Sequence, residues 1–244
     1  MTTFDLQHHV ALVTGGSRGI GAAVVHALAG AGAAVAINYR EQAEAANALA
    51  KAIRDAGGRA IAVQADVSQG DAVKAMFEHT AAELGPVDIL VNNAGIALTR
   101  NVDSLTEADF DTTIAVNLKS VFLCMQAALP VMRAKKWGRI VNISSGAARG
   151  ACAIGPHYNA SKAGVEGLTR GYAARLVKDG ITVNAVAPSL IATDMMTGAK
   201  DLVARIPLGR FGTPDEVAQA VMLLIANEYM TGQTIAMSGG MSFN

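Results

Sequence analysis

Short apolar runs and longer amphipathic stretches alternate along the chain. Seven apolar runs of strand length cover residues 10–14, 34–39, 59–64, 87–91, 138–144, 181–187 and 234–237. Stretches with helical spacing of apolar positions lie between them, at about 22–31, 41–56, 69–84, 107–136, 158–179 and from 213 onward. A short, continuously apolar run indicates a buried strand, and a period near 3.6 residues indicates a helix. The alternation predicts an α/β fold in which seven parallel strands form one doubly wound sheet with helices on both faces.

Composition narrows the class of protein further. Apolar residues make up 51% of the 244 residues, which suffices for a full core, and 20 basic residues balance 20 acidic ones. No linker, repeat or low-complexity segment divides the chain, so a single domain over residues 1–244 is expected. The balanced charge argues against nucleic-acid binding. The first residues lack a signal-peptide pattern and no apolar stretch reaches about 18 residues, so we expect no membrane span.

The cysteine content suggests a cellular compartment. The chain has two cysteines, Cys124 in an apolar helical run and Cys152 in a loop rich in glycine and alanine. A disulfide between them is not expected, and no metal site is predicted. This usage fits a reducing cytoplasm.

A glycine-rich segment follows the first predicted strand and opens a helix. It reads Gly15-Gly16-Ser17-Arg18-Gly19-Ile20-Gly21. Glycines let the backbone approach a phosphate closely, and a helix N-terminus offers unpaired N–H groups and the positive end of its dipole. The segment therefore predicts a dinucleotide-binding loop, although a plain tight turn is the alternative.

Basic residues occupy the positions that would meet the adenosine end of such a cofactor. The sequence at the end of the second strand is Asn38-Tyr39-Arg40, with no carboxylate until Glu41. An acidic residue at this point would accept from a ribose 2′-hydroxyl, whereas Arg40 and Arg18 would bind a 2′-phosphate. The sequence favours NADP(H), with two ordinary surface arginines as the alternative. After the third strand, Asp66 is placed either to accept from the adenine amino group or to cap the next helix.

Candidate catalytic residues lie in the second half of the chain. Tyr158 and Lys162 are four residues apart, so a helix places both side chains on one face. A Lys ammonium beside a phenol would lower the pKa of the phenol. Ser145 ends the fifth strand and could meet Tyr158 if the fold brings strand end and helix together. Asn117 interrupts an apolar helix, where it could also be a structural bridge.

Taken in order, these motifs resemble the short-chain dehydrogenase/reductase family, and within it the bacterial 3-oxoacyl-(acyl-carrier-protein) reductases. The resemblance runs nearly end to end and rests on Thr14-Gly15-x-x-x-Gly19-Ile20-Gly21, Asp66-Val67, Asn92-Asn93-Ala94-Gly95, Asn117, Ser145, Tyr158-x-x-x-Lys162 and the segment from Pro188 to Thr193. It implies a Rossmann-like fold and an NADPH-dependent oxidoreductase that reduces a carbonyl to an alcohol.

The resemblance also assigns roles to residues. Tyr158 is implied as the general acid, Ser145 as the residue that orients the carbonyl oxygen, and Lys162 as the ligand of the nicotinamide ribose. Asn117 is implied to hold a water that resupplies protons. The cofactor residues implied by the motifs are Gly15, Ser17, Arg18, Gly19, Ile20, Gly21, Arg40, Asp66, Val67, Asn93, Ala94, Gly95, Tyr158, Lys162, Pro188, Ile191 and Thr193.

Three departures from the family pattern leave the substrate open. Ser189 stands where a glycine is usual, Asp179 stands where carrier-protein reductases often have a basic residue, and the connection at 227–230 is short. Lys178 directly precedes Asp179, and Lys136 keeps a basic group at the other position where docking of a carrier protein is expected. A 3-oxoacyl thioester on acyl carrier protein is the expected substrate, with acyl-CoA, a sugar or a cyclic alcohol as alternatives.

Two expectations concern the molecule as a whole. A substrate lid is predicted at about 190–212, and a homotetramer is expected in which the helices around Asn117 and after Tyr158 pack against their copies. The alternative to an enzyme is an NADP-binding sensor without catalysis, which would not need a proton relay.

Overall fold

A seven-stranded parallel sheet forms the centre of the computed structural model, which describes residues 5–193 and 200–242. The strands are β1 (Val10–Val13), β2 (Ala34–Tyr39), β3 (Ala60–Gln64), β4 (Ile89–Asn92), β5 (Gly138–Ile143), β6 (Ile181–Pro188) and β7 (Thr234–Met237). Their order across the sheet is β3-β2-β1-β4-β5-β6-β7. The predicted strands and their parallel pairing are confirmed, with ends that differ by one or two residues.

Helices cover both faces of the sheet, as predicted. They are α1 (Gly19–Gly30), α2 (Ala43–Asp55), α3 (Gly70–Glu83), α4 (Glu107–Ile114), α5 (Ser120–Lys135), α6 (Pro156–Leu176) and α7 (Pro214–Ala226). One core joins α1, α2 and α7 to Ala11 and Val13 of β1, and a second joins α3, α5 and α6 to Val10 and Leu12. Successive side chains of β1 therefore enter opposite cores, as the two-residue period of a strand requires.

The long helix predicted at 107–136 is continuous but irregular. A π-helical segment, Ala115–Lys119, joins α4 to α5 and carries the buried Asn117. By length and composition, Glu107–Lys135 is long and apolar enough to cross a membrane, so the expectation that no stretch qualifies was wrong. Core helices of soluble proteins meet the same criterion, and Cys124, Met125 and Met132 are buried in the second core.

The strand order reverses between β1 and β4, and this position determines where a ligand can bind. The connections after β1 and β4 leave in opposite directions at a reversal, which opens a crevice at the carboxyl ends of the strands. The glycine segment follows β1, Asn93 follows β4, and Ser145 lies two residues after β5. The predicted lid is only partly described, because residues 194–199 lie outside the described residues; its described part includes a 3-10 turn at Lys200–Arg205.

Candidate active site

One cleft of about 570 Å³ opens along the carboxyl ends of the strands. It contains every predicted cofactor residue: Gly15, Ser17, Arg18, Gly19, Ile20, Gly21, Arg40, Asp66, Val67, Asn93, Ala94, Gly95, Tyr158, Lys162, Pro188, Ile191 and Thr193. Ser145 also lines this cleft, whereas Asn117 lies behind its wall. Residues that are far apart in the sequence thus share one cavity, because most of them lie at or just after the ends of neighbouring strands, and Tyr158 and Lys162 lie on α6 beside them.

The glycine segment has the shape of a phosphate cradle. A Cβ added to Gly21 would lie 2.3 Å from the carbonyl oxygen of Gly15, so only glycine allows this approach. Gly19 begins α1 with a φ of +54°, a left-handed conformation that glycine adopts without strain. The first turn of α1 carries no acidic residue that would repel an anion. These features fit a pyrophosphate at the helix N-terminus.

Polar side chains at the ends of β1 and β4 hold the glycine segment in place. The Thr14 Oγ1 accepts from the backbone N–H groups of Asn93 at 2.9 Å and Ala94 at 3.0 Å. The amide of Asn93 donates in return to the carbonyl oxygens of Thr14 at 3.0 Å and Gly15 at 2.9 Å. These bonds fasten the end of β4 to the end of β1. Asn93 therefore supports the loop in addition to lining the cleft.

Asn38 is a supporting residue that the sequence analysis missed. It is buried at the end of β2, and its Oδ1 accepts from the N–H of Gly15 at 3.2 Å. Its Nδ2 donates to the carbonyl oxygens of Val63 at 3.3 Å and Ala65 at 3.1 Å. One amide thus ties the glycine segment to β3. An Asn within an otherwise apolar strand was the available signal.

At the adenosine end, Arg40 and Asp66 both have partners within the protein. The Nε of Arg40 donates to Glu41 Oε1 at 3.0 Å, and both side chains are more than half exposed. Asp66 Oδ1 accepts from the N–H of Ser68 at 2.9 Å and from its hydroxyl at 2.7 Å. The Ser68 hydroxyl is the main reason that the pKa of Asp66 is lowered. The alternative that Asp66 caps the next helix was wrong, because it closes the turn before it.

Ser145, Tyr158 and Lys162 come together at the other end of the cleft. A hydrogen bond links Ser145 to Tyr158. The Lys162 Nζ lies 5.8 Å from the centroid of the Tyr158 ring and donates to the carbonyl oxygen of Ile143 at 2.9 Å. Ser145 Oγ also accepts from the N–H of Ala147 at 3.1 Å, which orients the hydroxyl. The end of β5 and helix α6 therefore bring the Ser145 and Tyr158 side chains together.

Burial determines the proton affinities at this end of the cleft. Burial raises the pKa of Tyr158, the hydrogen bond from Ser145 lowers it, and the neighbouring Cys152 raises it. Burial also lowers the pKa of Lys162 from 10.5 to about 8. The predicted lowering of the pKa of Tyr158 was therefore wrong in its net direction: removing the phenol from water outweighs any stabilisation of the phenolate by an ammonium several ångströms away.

Asn117 reaches the site from the π-helical segment. Its Oδ1 accepts from the N–H of Ile96 at 2.8 Å, and its Nδ2 donates to the carbonyl oxygen of Ile96 at 3.0 Å and to Ser161 Oγ at 3.2 Å. A Cβ on Gly95 would lie 3.3 Å from Asn117 Oδ1 and 3.6 Å from Lys162 Nζ. Asn117 thus joins the segment after β4 to α6, directly behind the cofactor cleft. π-helical turns occur often at functional sites.

The residues that departed from the family pattern lie in two places. Ser189 lines the cleft, with its Oγ 3.6 Å from Met241 Sδ. Asp179 lies outside the cleft, where its carboxylate pairs with Arg133 at 3.0 Å and Lys136 at 3.6 Å. Within the described ranges, no cluster of His, Cys, Asp and Glu could hold a metal ion.

Comparison with known proteins identifies the family. A sequence model described as enoyl-(acyl carrier protein) reductase matches residues 15–242. The chain belongs to the short-chain dehydrogenase/reductase family. It is 44% identical over 246 residues to a 3-oxoacyl-[acyl-carrier-protein] reductase of Synechocystis sp., covering 99% of each chain. Membership makes the chain an oxidoreductase that acts on CH–OH groups with a nicotinamide cofactor.

Solved structures of family members have the same fold over nearly the whole chain. A dehydrogenase/reductase from Sinorhizobium meliloti 1021 gives a TM-score of 0.92 at 38% identity, covering 99% of this chain and 98% of that one. A blue fluorescent protein from a metagenomic library, in complex with NADPH, gives a TM-score of 0.91 at 39% identity, covering 98% and 100%.

Proposed function

We propose that this chain reduces the keto group of a 3-oxoacyl thioester to a hydroxyl group, with NADPH as the reductant. The observation that carries the proposal is that a single cleft holds both the glycine segment and the cluster of Ser145, Tyr158 and Lys162. The Synechocystis relative supports the substrate class, and the NADPH complex of the fluorescent relative supports the cofactor.

Tyr158 is the proton donor in this proposal. Its raised pKa keeps the phenol protonated at neutral pH, which is the state that a general acid needs. The Ser145 hydroxyl donates a hydrogen bond to the same carbonyl oxygen. Two O–H groups aimed at one oxygen stabilise the negative charge that develops on it as the carbonyl is reduced. NADPH, when bound, supplies the hydride.

Lys162 keeps a positive charge beside the phenol. With a pKa of about 8, it is mostly protonated at neutral pH. The ammonium would bind the ribose hydroxyls of the nicotinamide half and stabilise Tyr158 after its proton has left. Asn117, whose amide groups fix Ile96 behind the site, would hold the water through which the proton is replaced.

The remaining cofactor assignments follow from position in the cleft. Pro188, Ile191 and Thr193 lie at or after the end of β6 and would hold the nicotinamide carboxamide. Arg40 and Arg18 would bind the 2′-phosphate of NADPH. Arg40 pairs with Glu41 across exposed surface, and such a pair is weak. A phosphate with more charge than a carboxylate can therefore take over this guanidinium.

The carrier of the acyl chain is a separate part of the proposal. Asp179 offsets the charge of Arg133 and Lys136, so this surface offers less attraction to an acidic carrier protein. The specific alternative is an acyl-CoA thioester or another ketone. Ser189 leaves this alternative open, because it lines the cleft at the position where family members usually have glycine.

Assembly and location belong to the proposal as well. A homotetramer is expected from the family resemblance. A groove of about 440 Å³ between α5 and α6 is a surface on which a second copy could pack. Leu129, Leu168 and Tyr172 line the groove, and Phe122 of α5 is 42% exposed. We propose that these faces pack against a second copy, in the cytoplasm.

A substrate panel tests the function. Acetoacetyl thioesters of carrier protein and CoA, and a simple ketone, are each offered with NADPH and with NADH while the nicotinamide absorbance is followed. We expect the highest kcat/KM for a thioester with NADPH. Equal or better turnover of the simple ketone would reject the thioester assignment, and binding of NADPH without turnover of any carbonyl would favour a sensor.

A further inference from the structure

A buried carboxylate that the proposed mechanism does not use lies one helical turn beyond Lys162. Glu166 of α6 is 4% exposed, although its side chain carries a charge. Its Oε2 accepts from Arg149 Nε at 3.0 Å, and its Oε1 accepts from Ser144 Oγ at 3.3 Å. Burying an ion is costly unless partners compensate it. These partners belong to the segment that contains Ser145.

Ser144 and Arg149 are on opposite sides of Ser145 in the sequence. Ser144 directly precedes it, and Arg149 follows the 3-10 turn Gly146–Ala148 that begins after it. Both side chains reach the carboxylate of Glu166. The segment with Ser145 near its start is thus fastened at both ends to α6, the helix that carries Tyr158 and Lys162.

The strength of these contacts differs in a way that allows a test. Arg149 is about one-third exposed and pairs with Glu166 at 3.0 Å, so the pair is partly shielded from water. Arg170 lies 3.9 Å from the same carboxylate but is 61% exposed and sits on α6 itself. Of these two arginines, only Arg149 connects the carboxylate to the Ser145 segment. Arg170 is therefore a matched control with the same charge and the same partner.

We propose that Glu166 and Arg149 are positioning residues that hold the Ser145 hydroxyl against the Tyr158 hydroxyl. The inference rests on the proposed function, because it assigns their effect to the step in which Tyr158 gives up its proton. Displacement of a reacting group by about 1 Å can lower turnover by about 10²-fold. Loss of the Arg149 contact should therefore lower kcat while leaving the distant adenosine end of the cleft intact.

The pH profile gives a readout that a purely structural role would not move. The Ser145 hydrogen bond lowers the pKa of Tyr158, against burial and Cys152, which raise it. The charged group beside the phenol is Lys162, whose Nζ lies 5.8 Å from the ring centroid. If Ser145 moves away, the pKa of Tyr158 rises further. Reduction requires the protonated phenol, so the part of the alkaline limb that belongs to Tyr158, which lies above the titration of Lys162 near pH 8, should shift to higher pH.

The experiment compares Arg149→Gln, Arg149→Lys and Arg170→Gln with the wild type. We expect Arg149→Gln to lower kcat by ~10–100-fold and to shift the alkaline limb upward, with NADPH Kd measured by fluorescence unchanged. Arg149→Lys should restore part of kcat because it keeps the charge, and Arg170→Gln should match the wild type. Adding Arg149→Gln to Ser145→Ala should cause no further loss, since the group being positioned is already absent.

Two results would overturn the inference while leaving the proposed function in place. One is wild-type kcat and an unshifted pH limb in Arg149→Gln. The other is a loss in the Ser145→Ala background as large as in the wild type, which would mean that Arg149 acts on something other than Ser145. Thermal unfolding shows whether Arg149→Gln folds; if it does not, Glu166→Gln removes the charge that pairs with Arg149 and is read in the same way. Absence of turnover by the wild type would overturn both proposals.

Discussion

Replacing Lys162 with methionine should stabilise the folded protein while it removes activity. Only 5% of Lys162 is exposed. Burial lowers the pKa of its ammonium from 10.5 to about 8. Each tenfold change in proton affinity corresponds to about 1.4 kcal/mol, so keeping this charge in the folded protein at neutral pH costs roughly 3 kcal/mol. Methionine has a similar length and no charge, so it avoids this cost.

One loss opposes the gain. The Lys162 Nζ donates to the carbonyl oxygen of Ile143 at 2.9 Å. Removing the donor leaves a buried acceptor without this partner, at a cost of about 1 kcal/mol. The net expectation is a variant more stable by about 2 kcal/mol at neutral pH. For a domain of this size, that corresponds to a rise in Tm of about 4–8 °C.

The difference between the two proteins should depend on pH. Below a pH of about 8, Lys162 is protonated in both folded and unfolded chains, so the full cost is present and constant. Between about 8 and 10.5, the unfolded chain still binds the proton that the folded chain has lost, so wild-type stability rises with pH. The advantage of the methionine variant should therefore shrink over this window and then reverse, because the lost hydrogen bond to Ile143 still costs about 1 kcal/mol when the charge is gone.

Urea unfolding at a series of pH values and fixed protein concentration measures this difference. Lys51→Met is the control, because Lys51 is 69% exposed and pairs with Asp55 on the surface of α2. Its stability difference from the wild type should be small at every pH. A Lys162→Met protein that is less stable than the wild type at neutral pH would refute the reasoning. So would an advantage that stays constant across the window.

Three further predictions concern activity. Tyr158→Phe should lower turnover by ~10²–10⁴-fold with NADPH Kd nearly unchanged in a fluorescence titration, and wild-type rates would eliminate Tyr158 as the acid. Arg40→Asp should lower the ratio of kcat/KM for NADPH over NADH, because a carboxylate repels the 2′-phosphate; an unchanged ratio means that other residues read the phosphate. Asp179→Lys removes the carboxylate that pairs with Arg133 and Lys136. At low salt, kcat/KM should therefore rise for a carrier-protein thioester and stay unchanged for an acyl-CoA thioester. Equal changes for the two substrates would rule out docking of the carrier protein at this surface.

Local features of the chain were predictable because their causes are local. The continuous apolar run of β1 follows from burial on both faces, where Ala11 and Leu12 enter opposite cores. The glycine segment was recognisable because a strand precedes it and a helix follows. The starts of helices were predicted less accurately than the strands, and α1 begins at Gly19 rather than at residue 22. Glycine gives no helical signal, so the apolar pattern alone places the start too late.

Features that depend on distant contacts were not predictable. The pKa of Tyr158 rises because of burial, which the spacing to Lys162 does not reveal. The roles of Asn38 and Glu166 depend on partners that lie 23 and 17 residues away, at Gly15 and Arg149. A single sequence shows that these side chains are polar within apolar surroundings. Only the fold shows which groups they reach.

Hydrogen bonds between buried side chains hold the strand ends in position beneath the cleft. Asn92 and Asn142 face each other as register partners in β4 and β5, and Asn92 Nδ2 donates to Asn142 Oδ1 at 2.8 Å. Asn142 Nδ2 then donates to Thr169 Oγ1 of α6 at 3.0 Å. Buried polar side chains linked in series favour one relative position of their strands and helix, because a shift of any of these elements would break a hydrogen bond.

This chain of bonds connects both halves of the cleft to one helix. Asn92 directly precedes Asn93, which supports the glycine segment, and Asn142 lies three residues before Ser145. Thr169 belongs to the helix that carries Tyr158. The cofactor side and the proton-donating side are therefore held by the same polar contacts. An apolar residue at Asn142 would leave the Asn92 donor and Thr169 without this partner, so its effect should extend to both halves of the cleft.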